Sequence, residues 1–169
     1  DRAIEIAKSR GVPSSVVDLS HRLYIGDESY RNVLLIDVLE HLPQPQAVLE
    51  EAVRISSKYV YVSVPNFVSL PARLQVLRGR VPENNTPRDA HVFWFTWQNL
   101  NKMAEESGLA IDQIRNNTFW SQGYFWGRIT SFLVSRWPGL FALSFVIRFK
   151  KREKVTKAEV EEYYNNIYK

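Results

Sequence analysis

"NVLLIDVLEHLPQPQAVLEEAVRISSKYVYVSVPN", residues 32–66, decides the fold. Residues 33–36 form a continuous apolar run, which is typical of a strand covered on both faces, so we expect an inner β-strand there. Residues 45–56 begin with a proline and repeat their apolar positions at helical spacing. Residues 58–66 predict a second strand that is closed by Pro-Asn. A strand, a helix and a strand in this order predict a crossover between two parallel strands.

The segments outside this stretch extend the same pattern. Alternating strands and helices predict an α/β fold, a Rossmann-like and mostly parallel sheet with helices on both faces. We predict helices at 2–10, 70–79, 96–108, 125–137 and 155–169, and strands at 14–20, 109–115 and 140–151.

Composition limits the class of protein. A chain of 169 residues is enough for one domain, and 24% charged residues are ordinary for a globular protein. The formal net charge of +4 suits an anionic partner without identifying one. The absence of cysteine excludes disulfides and thiolate metal sites. No segment resembles a signal peptide or reaches the length of a membrane span, so we expect a cytoplasmic protein.

Three polar side chains follow the first strand of this stretch. Asp37, Glu40 and His41 are spaced i, i+3 and i+4, so they share a face if the chain turns helical there. Sites of open α/β sheets lie at the carboxyl ends of strands. The trio could hold a divalent cation, orient a general base, or simply hydrogen-bond a loop.

Residues 37–66 resemble class I S-adenosylmethionine-dependent methyltransferases. The similarity is strongest to the ubiquinone-biosynthesis O-methyltransferase group and the methionine-biosynthesis-protein-W-like group, which share an acid, "EH", prolines, a helix and a strand ending in "PN". "HVFWFTWQNLNKMAEESGL", residues 91–109, is similar to a later segment of those families. "AIEIAKSRG", "VVDLS" and "LFALSFVIRFKK" agree weakly but in the right order, so the resemblance spans residues 1–151.

The sequence departs from these families in one respect. Their glycine-rich cofactor loop has no counterpart, because no G-x-G occurs in the chain. Their strand order is three-two-one-four-five-seven-six, and this chain would carry strands three to seven and lack the first two, with a gap in the sheet. The chain begins at Asp1, and we expect a processed piece or a fragment of a longer protein that, alone, binds S-adenosylmethionine poorly or not at all. Residues 152–169 would add a C-terminal amphipathic helix.

The resemblance implies a cofactor and an acceptor site. It places S-adenosylmethionine against Asp18, at the adenine amino group, and against Asp37, at the methionine side. Pro65 and Asn66 match a turn near the methyl acceptor. A plain turn remains an alternative for Pro65 and Asn66, and a turn cap for Asp18.

The resemblance also implies catalytic and metal-binding residues. Glu40 and His41 match an "EH" pair that supplies metal ligands in related RNA and ubiquinone-type enzymes, and His91 would complete the site. Asp37, Glu40, His41 and His91 are therefore the predicted ligands of Mg²⁺ or Mn²⁺. His41 or His91, with Glu40, would provide the base for methyl transfer to oxygen of a small or lipid-linked acceptor.

An aromatic and basic stretch, residues 119–154, has two interpretations. It could be core plus a cap over the acceptor pocket, or an interfacial element that binds a membrane surface, with 150–154 strengthening the binding. A nucleic-acid partner is disfavoured because acidic residues at 50–51, 105–106 and 159–162 interrupt any basic stripe. The last helix could bind its own domain or a second copy of the chain. The alternative to an enzyme is a non-catalytic methyltransferase-like remnant that serves as an interaction or membrane-surface module.

Overall fold

A computed structural model describes residues 2–82, 90–115 and 124–152, with the side chains of 124–127 left out. The predicted C-terminal helix and the centre of the polar loop at 80–91 lie outside these residues. The described helices are α1 (Arg2–Ser9), α2 (Pro45–Ile55), α3 (Leu70–Leu77), α4 (Trp97–Glu106), α5 (Tyr124–Arg136) and α6 (Pro138–Phe141), with a 3₁₀ turn at Leu39–His41. The strands are β1 (Tyr30–Ile36), β2 (Ser56–Pro65), β3 (Leu109–Ile114) and β4 (Ser144–Lys151).

These four strands form one sheet in the order β1-β2-β4-β3. β1 and β2 are parallel, and β4 is antiparallel to both β2 and β3. Three strands therefore run in one direction, which confirms the prediction of a mostly parallel sheet with helices around it. The order matches strands four, five, seven and six of the family order, so the described strands are contiguous and the expected gap does not occur.

The core lies on one face of the sheet. Val60, Val62 and Val64 of β2 are fully buried and lie beside inward-facing residues of β1 and β4. The crossover helix α2 begins with Pro45 at its first turn and buries an apolar stripe against this face. The stripe of α2 consists of Val48, Leu49, Ala52 and Ile55.

Helix α4 is fixed by its ends. The Thr96 hydroxyl accepts a hydrogen bond from the Asn99 backbone N–H, and the Asn99 side chain accepts one from the Thr96 N–H. This capping box satisfies two donors that would otherwise lack intrahelical partners. Gly108 follows the helix with φ of 73°, a conformation that glycine adopts without strain. Both predicted ends of the helix are confirmed.

The prediction that β1 is an inner strand is wrong. In the described part of the chain β1 pairs only with β2, so it is an edge strand. Leu35 is buried on the core face, but Leu34 and Ile36 on the other face are 60% and 47% exposed. A continuous apolar run predicted cover on both faces, but that cover depends on elements distant in sequence.

The predicted strand at 14–20 is also wrong. The described backbone there has no sheet partner, and Val16 is 73% exposed. β-branched residues favour a strand only where a neighbouring strand receives their hydrogen bonds.

None of the helices in the described residues is both long and apolar enough to cross a bilayer.

The loop before β1 is tied to helix α2 by one ion-paired cluster. Glu51 accepts a hydrogen bond of 2.7 Å from the Leu23 backbone N–H, and Arg54 donates to Glu51 and to the carbonyl oxygen of Ile25. The side chains of Glu51 and Arg54 are each only 17% exposed. The hydrogen bonds from Arg54 and Leu23 lower the pKa of Glu51 from 4.5 to about 2.

We predict that Glu51→Gln lowers the free energy of unfolding at neutral pH by about 1.5–3 kcal/mol, the range for hydrogen bonds to a charged group. Because the folded-state pKa of Glu51 is depressed, its contribution is complete above pH 4.5 and is lost as the pH falls towards 2. The difference in free energy of unfolding between wild type and variant, measured by urea denaturation, should narrow over that pH range. Glu50→Gln, an exposed neighbour, is the control, and an equal effect of both variants would contradict the prediction.

Candidate active site at the carboxyl edge of the sheet

The chain turns sharply where β1 ends. Asp37 has φ of 50°, a left-handed conformation that costs a residue with a side chain roughly 1–2 kcal/mol. Two hydrogen bonds to β2 hold it: the Asp37 N–H donates to the Ser63 carbonyl at 3.0 Å, and the Ser63 hydroxyl donates to Asp37 Oδ1 at 2.8 Å. The turn continues as the 3₁₀ segment Leu39–His41, so the acids and the imidazole follow the strand on a tight turn.

Glu40 is the central residue of this turn. It is 1% exposed, and its backbone carbonyl accepts hydrogen bonds from the N–H groups of Val92 and Phe93 at 2.9 and 3.1 Å. Its carboxylate atom Oε2 is buried and has no hydrogen-bond partner among the described residues. Burial raises the pKa of Glu40, and the neighbouring charge of Asp37 raises it further. An orphaned buried carboxylate oxygen is a site that a cation or proton donor would satisfy.

The two backbone hydrogen bonds to Glu40 place His91 beside His41. The imidazole ring centroids are 4.8 Å apart with the planes tilted by 60°, and His41 Nδ1 lies 3.4 Å from the Ala90 carbonyl oxygen. Glu40, His41 and His91 each offer one ligand atom, and these atoms lie within 4.8 Å of one another. The structure thus brings three of the four predicted metal ligands together, although 50 positions in sequence separate the two histidines.

These side chains face a cavity of about 630 Å³. Asp37, the fourth predicted ligand, lines it without belonging to the compact trio, and Pro65 also lines it. Three further lining residues were not predicted: Ser63, Ser144 and Val146. The alternation of β2 could have indicated Ser63, which faces the same side as Pro65. The register of β4 against β2 places Ser144 and Val146 in the lining, and no local sequence pattern indicates that register.

Asn66 is not among the residues that line this cavity. It is fully buried, and its Nδ2 donates to the carbonyl oxygens of Gly139 and Ala142 at 3.0 and 2.8 Å. Its Oδ1 accepts from the Val68 N–H. Asn66 therefore ties the end of β2 to the segment that leads into β4, and a contact between Asn66 and the acceptor stays a prediction.

Asp18 lies on an exposed turn away from the cavity lining. One carboxylate oxygen accepts a 2.8 Å hydrogen bond from the Ser20 N–H, and the other is 3.2 Å from His21 Nδ1. The hydrogen bond from Ser20 lowers the pKa of Asp18, with a smaller contribution from His21. This geometry is that of a turn cap, and adenine binding by Asp18 stays a prediction.

Solved methyltransferases share this fold. A S-adenosylmethionine-dependent methyltransferase of Thermotoga maritima superimposes with a TM-score of 0.62 at 19% identity, over 90% of this chain and 70% of that one. The magnesium protoporphyrin IX methyltransferase of Synechocystis PCC 6803 was solved with bound SAH (S-adenosylhomocysteine). It superimposes with a TM-score of 0.56 at 16% identity, over 89% of this chain and 56% of that one. A Haloferax volcanii methyltransferase was solved in complex with the Trm112 methyltransferase activator. It superimposes with a TM-score of 0.55 at 13% identity, over 89% of this chain and 68% of that one.

At these identities the likeness establishes the fold and no more. No curated protein matches the sequence. The family described as methionine biosynthesis protein MetW matches residues 3–140, which is most of the chain. The protein therefore has the class I methyltransferase fold and belongs to the methionine biosynthesis protein MetW family.

Proposed function

We propose that this protein transfers a methyl group from S-adenosylmethionine to an oxygen atom of a small or lipid-linked acceptor. The observation that carries the proposal is the cavity at the carboxyl edge of the sheet, into which two carboxylates and two imidazoles converge. Ligands of open α/β sheets bind at this edge. Family membership and the fold supply the reaction class, and the side chains supply the chemistry at the acceptor.

The cofactor fits this site in part. A volume of about 630 Å³ lies in the range typical of small-molecule pockets. Asp37 would face the methionine side of S-adenosylmethionine, and Asp18 its adenine amino group. Asp37, Asp18 and the cavity are the cofactor contacts that we propose within residues 1–169.

Methyl transfer to oxygen is a displacement at carbon. The carbon–sulfur bond of the sulfonium breaks while a carbon–oxygen bond forms, sulfur departs as a neutral thioether, and the hydroxyl proton of the acceptor passes to a base. In a site without a bound cation, His41 and His91 are the candidate bases, because both line the cavity. Glu40 would stabilise the imidazolium that results. If His41→Ala transfers methyl groups at the wild-type rate, His41 is not the base and His91 is the remaining candidate.

A divalent cation fits the trio of Glu40, His41 and His91. The buried Glu40 Oε2 without a partner and two nearby imidazoles form a mixed nitrogen and oxygen donor set, which Mn²⁺ accepts. A bound cation would supply positive charge that lowers the pKa of the acceptor hydroxyl. Asp37 lies in the same cavity and would be the fourth ligand.

We predict that Mn²⁺ broadens the imidazole NMR signals of His41 and His91 before that of His21, because His21 is not part of the group of three possible ligands. Glu40→Gln keeps the shape of the side chain but removes its charge. It should weaken Mn²⁺ binding at least tenfold, since even outer-shell substitutions cost roughly 10–100-fold. Equal broadening of all three histidines would contradict a site at this trio.

A second candidate function is that of a non-catalytic methyltransferase-like module. The open edge of β1 in the described residues favours it, because an unpaired strand with exposed Leu34 and Ile36 suits a protein partner. Such a module would keep the fold and the cavity without binding the cofactor. The two candidates therefore differ in one measurable property, affinity for the cofactor or its product.

We predict that calorimetry detects S-adenosylhomocysteine binding to a form of the protein extended upstream of Asp1, with weaker binding or none to residues 1–169. Asp37→Asn should weaken that binding about tenfold or more, the effect of losing a hydrogen bond to a charged group. Glu50→Gln, which removes the same charge from the exposed side of α2, is the control. Absence of binding by both forms would favour the non-catalytic module.

A further inference from the structure

Helix α5 has a buried face and an exposed face of different character. Thr130 and Val134 are 8% and 7% exposed and pack towards the core. On the opposite side Phe132 is 65% exposed and Ile129 is 37% exposed. Arg128 and Arg136 are also exposed, and their spacing of four residues to either side of Phe132 puts them on the same face. α5 thus presents an apolar strip between two guanidinium groups.

The sequence around α5 contains no acidic residue. From residue 113 to residue 152 there is no Asp or Glu, while Arg and Lys recur. The basic residues of this segment are Arg115, Arg128, Arg136, Arg148, Lys150, Lys151 and Arg152. Arg128 and Arg136 therefore have no acidic neighbour within this stretch of sequence. Exposed apolar side chains between two positive charges are complementary to a surface that is anionic outside and apolar beneath.

The basic residues near the end of β4 belong to a different surface. Arg148 pairs with Asp112, Lys151 with Glu28 at 2.8 Å, and Arg152 approaches Glu105 at 3.7 Å. The Arg148 pair lies between β4 and β3, and the pairs of Lys151 and Arg152 lie at the carboxyl end of β4. Helix α6 precedes the opposite end of that strand. That residues 150–154 strengthen the surface formed by the aromatic helix therefore stays a prediction, because Lys151 and Arg152 pair with acidic side chains elsewhere and Lys154 lies outside the described residues.

We propose that the exposed face of α5 docks on the surface of an anionic lipid membrane. Phe132 and Ile129 would enter the boundary between headgroups and acyl chains, and Arg128 and Arg136 would contact the headgroups. Trp137, which is 50% exposed and 5.6 Å from the Arg136 guanidinium, adds an aromatic ring of the kind enriched at such interfaces.

This surface is close to the cavity along the chain. Helix α6 follows α5 directly, and Ser144 at the start of β4 lines the cavity. The docking surface stands on exposure and charge alone, so it does not depend on methyl transfer.

Flotation with vesicles tests the proposal. The chain should float with vesicles of phosphatidylcholine and phosphatidylserine at low salt, and much less with phosphatidylcholine alone. The double variant Arg128→Gln/Arg136→Gln should bind about 30-fold more weakly, because each basic residue near an anionic surface contributes about 1 kcal/mol. Phe132→Ser should weaken binding about tenfold or more, the range for burial of a phenylalanine side chain.

Two matched controls accompany these variants. Leu77→Ser removes an apolar side chain that is 82% exposed on α3, and Lys150→Gln removes a positive charge from the far end of β4. Both should float like the wild type, and circular dichroism should show all variants folded. No flotation of the wild type overturns the proposal, as does an unchanged affinity of Phe132→Ser. If only the double arginine variant loses vesicle binding, and the wild type binds single-stranded RNA tightly, the exposed face of α5 would be assigned to nucleic acid instead.

Discussion

The candidate site depends on one backbone group, the carbonyl of Glu40. It accepts hydrogen bonds from both Val92 and Phe93, and so fastens a segment 50 residues downstream to the turn that follows β1. The turn itself is held by Asp37, whose left-handed backbone is bonded to Ser63 of the next strand. Because these contacts are made by the backbone and by short side chains, the carboxylate of Glu40 and both imidazoles remain directed at the cavity.

The sheet places this turn where chemistry can occur. The parallel register sets Ile36 opposite Ser63, so β1 ends beside the last residues of β2, which continues to Pro65. The antiparallel strand β4 then brings Ser144 and Val146 against the ends of β2 to close the cavity. Asn66 joins these two parts through the carbonyls that precede β4. The site is therefore built from strand ends and from the turn after β1, and His91 joins it from a segment distant in sequence.

Local patterns predicted the elements whose causes are local. Helix α2 follows from its proline start and apolar spacing, and α4 from Thr96 at its start and Gly108 after its end. Glu40 and His41 were found because they follow a strand directly. The resemblance, rather than any local signal, supplied His91.

Predictions that needed distant partners were wrong or incomplete. The run at 33–36 is apolar enough for an inner strand, yet Leu34 and Ile36 are exposed because no described element covers them. Val16 has strand propensity but no strand partner among the described residues. The contribution of β4 to the cavity depends on strand register, which no stretch of sequence encodes alone.

The most direct test of the account is the distance between the two imidazoles. Ring centroids 4.8 Å apart predict a nuclear Overhauser cross-peak between the ring protons of His41 and His91, with none from either ring to His21. The cross-peak should persist without cofactor or cation, because hydrogen bonds of the Glu40 carbonyl hold the rings together. A folded protein that gives no His41–His91 cross-peak would contradict the account.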